Sequence, residues 1–170
     1  MKQHVKSLGW TLVTAGLFFV LLLGIQFFFK NFYVADRFQE QLAQIDGVEK
    51  VEVIDNTITL NLGLVPNIKE TYEKITGIID EKDYNIVIND LPSEKLQETA
   101  EISEIAIQEG IFRGNFTEMS DYIRNFSETQ GIKGKLFVGS KKVFLQLEEK
   151  NYYLYRIFDR PEAKNLDTAG

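Results

Sequence analysis

The sequence predicts an α+β protein in which a single N-terminal transmembrane helix is followed by a small α+β domain. Three observations lead to this fold class. Residues 8–29 form an uncharged, strongly apolar stretch. Beyond them, apolar residues recur either at helical spacings of three and four or at every second position, as in half-buried strands. Gly, Asn and Pro separate these segments, which gives the order α-β-β-α-β-α-α-β-β-β.

The composition restricts both the class of protein and its partners. The chain has 170 residues, of which 44% are hydrophobic, and it has no cysteine. One or two small folded domains fit this length, while disulfides, thiolate metal sites and cysteine nucleophiles are excluded. When the three lysines of residues 1–30 are set aside, 16 basic and 25 acidic side chains remain, a net charge of −9. Such an acidic domain binds phosphate backbones poorly, so nucleic acid is not an expected partner.

The apolar stretch is predicted to be a membrane anchor. As a helix, residues 8–29 would extend about 33 Å, enough to cross a hydrocarbon core of roughly 30 Å. Trp10 lies near one boundary, and Phe32 and Tyr33 lie near the other, where aromatic side chains favour the membrane interface. The lipid bilayer is therefore the expected partner of this stretch, with residues 1–7 forming a short cytoplasmic tail.

A cleaved signal peptide is the alternative, because Lys2 and Lys6 resemble a charged n-region. The apolar stretch is too long for one, however. If cleavage followed the small residue Ala35, the bulky Tyr33 would occupy the −3 position, where a small residue is required. The N-terminal lysines favour an N-terminus on the inside. Residues 30–160 are thus expected outside the plasma (cytoplasmic) membrane.

The first half of the domain reads as α-β-β-α-β. A helix leaves the anchor and ends at Gly47, Asp55-Asn56 forms a two-residue hairpin turn, and Asn67 caps a second helix. A strand over residues 83–89 follows. The first helix is predicted from four apolar residues spaced by four, four and three: Val34, Phe38, Leu42 and Ile45.

The second half reads as two helices and three strands. The third helix starts at Ser93 and is expected to end at Gly110, and the fourth runs from Asn115 to Gly131. The tail, residues 161–170, has little to bury and is expected to be flexible. The three strands are predicted at about residues 135–138, 143–148 and 152–158, with turns at Gly139-Ser140 and Glu149-Lys150.

One stretch, residues 38–89, resembles the BON domain, an extracytoplasmic α-β-β-α-β module associated with envelope or lipid surfaces. The resemblance implies a module of that fold close to a membrane. The sequence leaves open whether residues 30–160 form one domain or two submodules, 34–90 and 92–160. The residues that carry the resemblance are Gly47-Val48, Val51-Glu52-Val53, Ile58-Thr59-Leu60 and the helix containing Ile75.

Residues suited to catalysis are scarce. His4 is the only histidine and precedes the anchor, so neither a Ser-His-Asp site nor a histidine metal site is expected in the domain. No phosphate-binding glycine motif is present. We therefore predict no catalytic residue, no metal and no cofactor. One acidic ridge could serve a carboxylate-dependent hydrolase or bind a cation, but is more typical of a solvated helix face: Glu94, Glu98, Glu101 and Glu104.

The last strand carries the candidate partner surface. Alternation places Tyr152, Leu154, Arg156 and Phe158 on one face, and Tyr and Arg are enriched in binding hot spots. The alternative is a strand covered on both sides.

These observations favour a non-catalytic binding or scaffolding protein of the cell envelope, whose partner is another envelope protein. A membrane-tethered ligand-sensing domain and a carboxylate-dependent hydrolase are the alternatives. Converging carboxylates in a deep pocket would favour the hydrolase, whereas an exposed apolar groove on a closed core would favour binding.

Overall fold

The computed structural model describes residues 16–25 and 38–161. The chain forms two compact units, Met1–Gln41 and Leu42–Gly170. In the first, residues 16–25 are helical and all are exposed. Among the described helices, none combines the length and the apolar character that a bilayer span requires. The predicted interface residues Trp10, Phe32 and Tyr33 lie outside the described residues, as do most of the predicted span and almost all of the predicted tail.

The second unit has the α+β architecture that the sequence predicts, and from β1 onward its elements follow the predicted order. It contains two three-stranded sheets. In the first sheet, β1 and β2 are antiparallel and β2 and β3 are parallel, and in the second sheet β4, β5 and β6 are all antiparallel. After a short helical segment at residues 38–42, the elements are β1 (Val48–Ile54), β2 (Thr57–Leu62), α1 (Ile68–Ile78), β3 (Asn85–Asn89), α2 (Glu94–Arg113), α3 (Phe116–Thr129), β4 (Lys133–Val138), β5 (Lys142–Glu149) and β6 (Tyr152–Asp159).

Local sequence signals explain most element boundaries. The two-residue turn of the first hairpin is confirmed, because Asp55 adopts a φ of 53° and Ile54 pairs with Thr57. The Asn67 cap of α1 is also confirmed, since its side chain accepts hydrogen bonds from the N–H groups of Lys69 and Glu70. Short polar side chains accept these bonds readily at helix N-termini.

The turn before β6 lies one residue later than predicted. Glu149 pairs with Tyr152 in the strand ladder, so the turn residues are Lys150 and Asn151, and Lys150 takes a φ of 55°. The preceding turn at Gly139 is tightened by a hydrogen bond from its N–H to the carbonyl oxygen of Lys142.

The predicted end of α2 at Gly110 is wrong. The helix continues to Arg113 and ends at Gly114, which adopts the left-handed conformation with a φ of 72°. Gly110 is buried, and a Cβ atom there would lie 2.8 Å from Cβ of Met119 on α3. The glycine thus permits the close approach of two helices rather than ending one.

Two apolar clusters cover opposite faces of the second sheet. Because successive side chains of a strand point to opposite faces, Leu154 and Tyr155 of β6 belong to different clusters. The cluster beneath α2 and α3 includes Leu96, Ile107, Ile123, Ile132, Val143, Leu145, Leu147 and Leu154. The cluster that joins α1 to the other face includes Leu62, Val65, Ile68, Tyr72, Phe144 and Tyr155.

Two buried side chains of the second sheet bind the segment that leads into α1. The side chain of Gln146 accepts a hydrogen bond from the N–H of Ile68 at 3.1 Å and donates one to the carbonyl oxygen of Val65 at 2.7 Å. The hydroxyl of Tyr155 accepts from the N–H of Val65 and donates to the carbonyl oxygen of Gly63, both at 2.9 Å. Burial raises the pKa of Tyr155 to about 12, so this hydroxyl keeps its proton at neutral pH.

Candidate functional site

The predicted partner surface on β6 is divided by the fold. Leu154 and Phe158 are buried in the cluster beneath α2 and α3, so they present no surface. Tyr152 and Arg156 are exposed. The predicted partner surface is therefore reduced to Tyr152 and Arg156, and for these two residues it stays a prediction.

Arg156 helps to hold β6 beside the end of β3. Its guanidinium lies 3.9 Å from the Asp90 carboxylate, which itself accepts a hydrogen bond from the N–H of Tyr155 at 2.7 Å. Burial raises the pKa of Asp90 above its usual value, while the Tyr155 hydrogen bond and the Arg156 charge oppose the shift. Arg156 therefore pairs with Asp90 within the domain, although part of its side chain is exposed to solvent.

An apolar groove runs between α2 and α3, on the side of these helices that faces away from the sheet. It encloses about 400 Å³. Ile105 is 73% exposed and Ile102 and Tyr122 are each about half exposed, although all three are large apolar side chains. We call this surface the α2–α3 groove, and its apolar lining comprises Ile102, Ile105, Ala106, Gly110, Met119 and Tyr122.

Acidic side chains surround the α2–α3 groove. Glu109 and Glu118 line it, and Arg113 forms an ion pair with Glu109 at 2.9 Å. Farther along α2, Glu98 and Glu101 are exposed one helical turn before Ile102 and Ile105, respectively. The surroundings of the apolar surface therefore carry net negative charge.

A second concavity lies where β3 and β6 diverge, and it encloses about 790 Å³. We call it the β3–β6 cleft. The two strands meet at one end, where Leu91 and Tyr153 form an antiparallel bridge. Beyond this bridge, Ile86 and Ile88 of β3 and Ile157 of β6 line the cleft, each half-buried.

Charged groups at the mouth of the β3–β6 cleft form ion pairs with one another. The Lys142 ammonium lies 2.8 Å from the Asp159 carboxylate and 3.4 Å from that of Glu81, and the Tyr72 hydroxyl donates to Glu81. Burial lowers the pKa of Lys142, but these two carboxylates outweigh it and hold the pKa above its usual value. Burial and the Glu81 carboxylate raise the pKa of Tyr72. Lys142 thus forms ion pairs with two of the carboxylates that line the cleft, those of Glu81 and Asp159.

The acidic ridge predicted on α2 lies on the helix surface. Glu94, Glu98, Glu101 and Glu104 are all exposed. Over residues 16–25 and 38–161, no group of three or more acidic or histidine side chains is arranged to hold a metal ion.

Sequence reasoning missed both concavities. Ile102 and Ile105 are three residues apart, so they are neighbours on one face of α2, although glutamates surround them in the sequence. This spacing was the one local signal that indicated an exposed apolar surface. The β3–β6 cleft had no local signal, because its two walls are far apart in the chain.

Comparisons with protein-family models, with curated proteins and with solved structures found no match to this chain. The resemblance of residues 38–89 to a BON domain therefore stays a prediction.

Proposed function

We propose that the protein is a single-pass, membrane-anchored binding or scaffolding protein of the cell envelope that acts without catalysis. The observation that carries this proposal is the α2–α3 groove, where large apolar side chains are exposed between two helices. Exposed apolar patches of this kind mark interaction sites in soluble domains. The partner is another envelope protein, and the domain lies outside the plasma membrane with the N-terminus inside.

The apolar character of the N-terminal segment supports the proposal that it is a membrane anchor. Residues 8–29 carry no charge, and the part that is described, residues 16–25, is a helix whose large apolar side chains are all exposed. Leu17 and Val20 are each 69% exposed. Exposing apolar area to water costs about 25 cal/mol per Å², a cost that lipid tails remove. A bilayer is thus the environment in which this surface is favourable.

The charge around the α2–α3 groove indicates the chemistry of the partner. An apolar surface with Glu98, Glu101 and Glu118 around it is complementary to an amphipathic segment with an apolar stripe and basic flanks. Binding buries the exposed isoleucines, and the acidic surroundings orient the basic flanks. We therefore propose a basic amphipathic helix of an envelope protein as the occupant.

A photocrosslinker tests this contact directly. With p-benzoylphenylalanine in place of Ile105 in the native host, we expect one discrete crosslinked product whose partner peptide is basic and amphipathic. Lys74 on α1 is exposed and provides the matched control position. Adding Tyr122→Glu should abolish the Ile105 product, because it places a charge against the partner's apolar stripe. Identical products from both positions, or a product that survives Tyr122→Glu, would contradict the assignment.

The proposed topology is tested by protease added to intact spheroplasts. We expect the domain to be digested while a cytoplasmic marker protein stays intact, because the N-terminal lysines keep residues 1–7 inside. A fragment that contains residues 8–29 should remain with the membrane fraction. Complete protection of the domain until the cells are lysed would show the opposite orientation.

A further inference from the structure

Strands β3 and β6 are each the last strand of their sheet, and their open edges face each other across the β3–β6 cleft. At the closed end of the cleft they already pair, because the N–H of Tyr153 donates to the carbonyl oxygen of Leu91 at 2.9 Å. The next inward group, the N–H of Tyr155, is bound by the Asp90 side chain instead of by backbone. From that point the two strands separate.

The main-chain groups beyond this point face the cleft. In β6 the N–H groups of Tyr153 and Tyr155 point away from β5, so strand alternation also directs the N–H and carbonyl of Ile157 away from β5. In β3 the N–H of Asn85 donates to Asn56 on the β2 side, so the main-chain groups of Ile86 point to the open side. Within the described chain, these outward groups have no hydrogen-bond partner.

The dimensions and lining suit an extended segment. The five residues of β3 span about 16 Å at roughly 3.3 Å per residue. Half-buried Ile86, Ile88 and Ile157 would contact alternate side chains of a strand placed between β3 and β6. At the mouth, Lys142 already forms ion pairs with Glu81 and Asp159. Basic and acidic side chains along the cleft are equal in number: Lys82, Lys142 and Arg156 against Glu81, Asp83 and Asp159.

We propose that the β3–β6 cleft binds an extended segment of another protein by strand addition. The segment, of about five residues with aliphatic side chains at alternate positions, would hydrogen-bond to β3 on one side and to β6 on the other. The two three-stranded sheets would then become one seven-stranded sheet. Main-chain groups on both walls favour a polypeptide over a sugar or a lipid, since a strand can satisfy both rows at once. This site is independent of the α2–α3 groove.

A display library of random dodecapeptides, panned against the full chain in detergent, supplies the probe. We expect enriched peptides with alternating aliphatic residues, and synthetic versions N-methylated at alternate central residues should bind about tenfold or more weakly. Ile157→Pro should weaken binding similarly, because it removes an N–H group that faces the cleft. An edge strand tolerates proline at such a position, so the fold should be retained. Ile157→Ala, which loses similar side-chain contacts but keeps the N–H, is the matched control and should bind more tightly than the proline variant.

The proposal is overturned if no peptide is enriched, or if every N-methylated peptide binds as tightly as its parent. It is equally overturned if peptides bind only after residues 162–170 are removed, because the occupant would then be the chain's own tail. A dimer that Ile157→Pro dissociates would identify a second copy of this chain as the occupant instead. Loss of binding in Tyr122→Glu would place the peptides in the α2–α3 groove.

Discussion

Replacing Gln146 by leucine is expected to lower the free energy of unfolding by about 3 to 5 kcal/mol, although leucine is apolar and similar in size. The Gln146 side chain is fully buried, and it satisfies the N–H of Ile68 and the carbonyl oxygen of Val65. Leucine would leave both groups buried without partners, at about 1–3 kcal/mol each. Urea unfolding of the full chain in detergent, followed by far-UV circular dichroism, measures the loss.

The matched control is Gln97→Leu on α2, where the side chain is exposed. This variant should change the free energy of unfolding by no more than about 0.5 kcal/mol. If Gln146→Leu were as stable as the wild-type chain, the segment before α1 would not depend on the second sheet for its hydrogen bonds.

Alanine at two helical glycines is expected to have opposite effects. At Gly110 the new Cβ would overlap Met119, so α2 and α3 must separate, and we expect a loss of about 1 to 3 kcal/mol in the free energy of unfolding. At Gly77 on α1 no atom lies within 4 Å of the new Cβ. Alanine there should stabilise the protein by about 0.5 to 1 kcal/mol, because it restricts the unfolded chain and favours the helix.

Thermal unfolding of the two alanine variants, measured side by side with the wild-type chain, checks the sign of each effect. Stabilisation by both would mean that Met119 moves aside without cost and that Gly110 has no packing role. Destabilisation by Gly77→Ala would contradict the open surroundings of that residue.

Local signals were sufficient for the element order and for several boundaries. The Asn67 cap and the Asp55-Asn56 turn depend on residues within a few positions of each other, so the sequence contains the information directly. The end of α2 was mispredicted for the opposite reason. Gly110 resembles a helix stop in sequence, but its role depends on Met119 of the next helix, a contact that periodicity does not reveal.

The two concavities could not be derived from the sequence, because each depends on packing between elements. Periodicity places Ile102 and Ile105 on one face of α2, but it does not indicate that α3 leaves this face uncovered. The β3–β6 cleft depends on the contact of Asp90 with Tyr155, which are 65 positions apart. The candidate surface on β6 was divided because Leu154 and Phe158 face α2 and α3. Both faces of β6 carry apolar residues, so the sequence does not indicate which face the helices cover.

The hydrogen bonds from the second sheet to residues 63–68 also have a consequence for the order of folding. Strands β4, β5 and β6 are joined by two short hairpin turns and can pair early, whereas the parallel pairing of β2 with β3 requires a crossover through α1. The Gln146–Val65 and Tyr155–Gly63 contacts close loops of 81 and 92 residues, respectively. Contacts between distant residues form late because loop closure costs entropy. Gln146→Leu should therefore accelerate unfolding far more than it slows refolding.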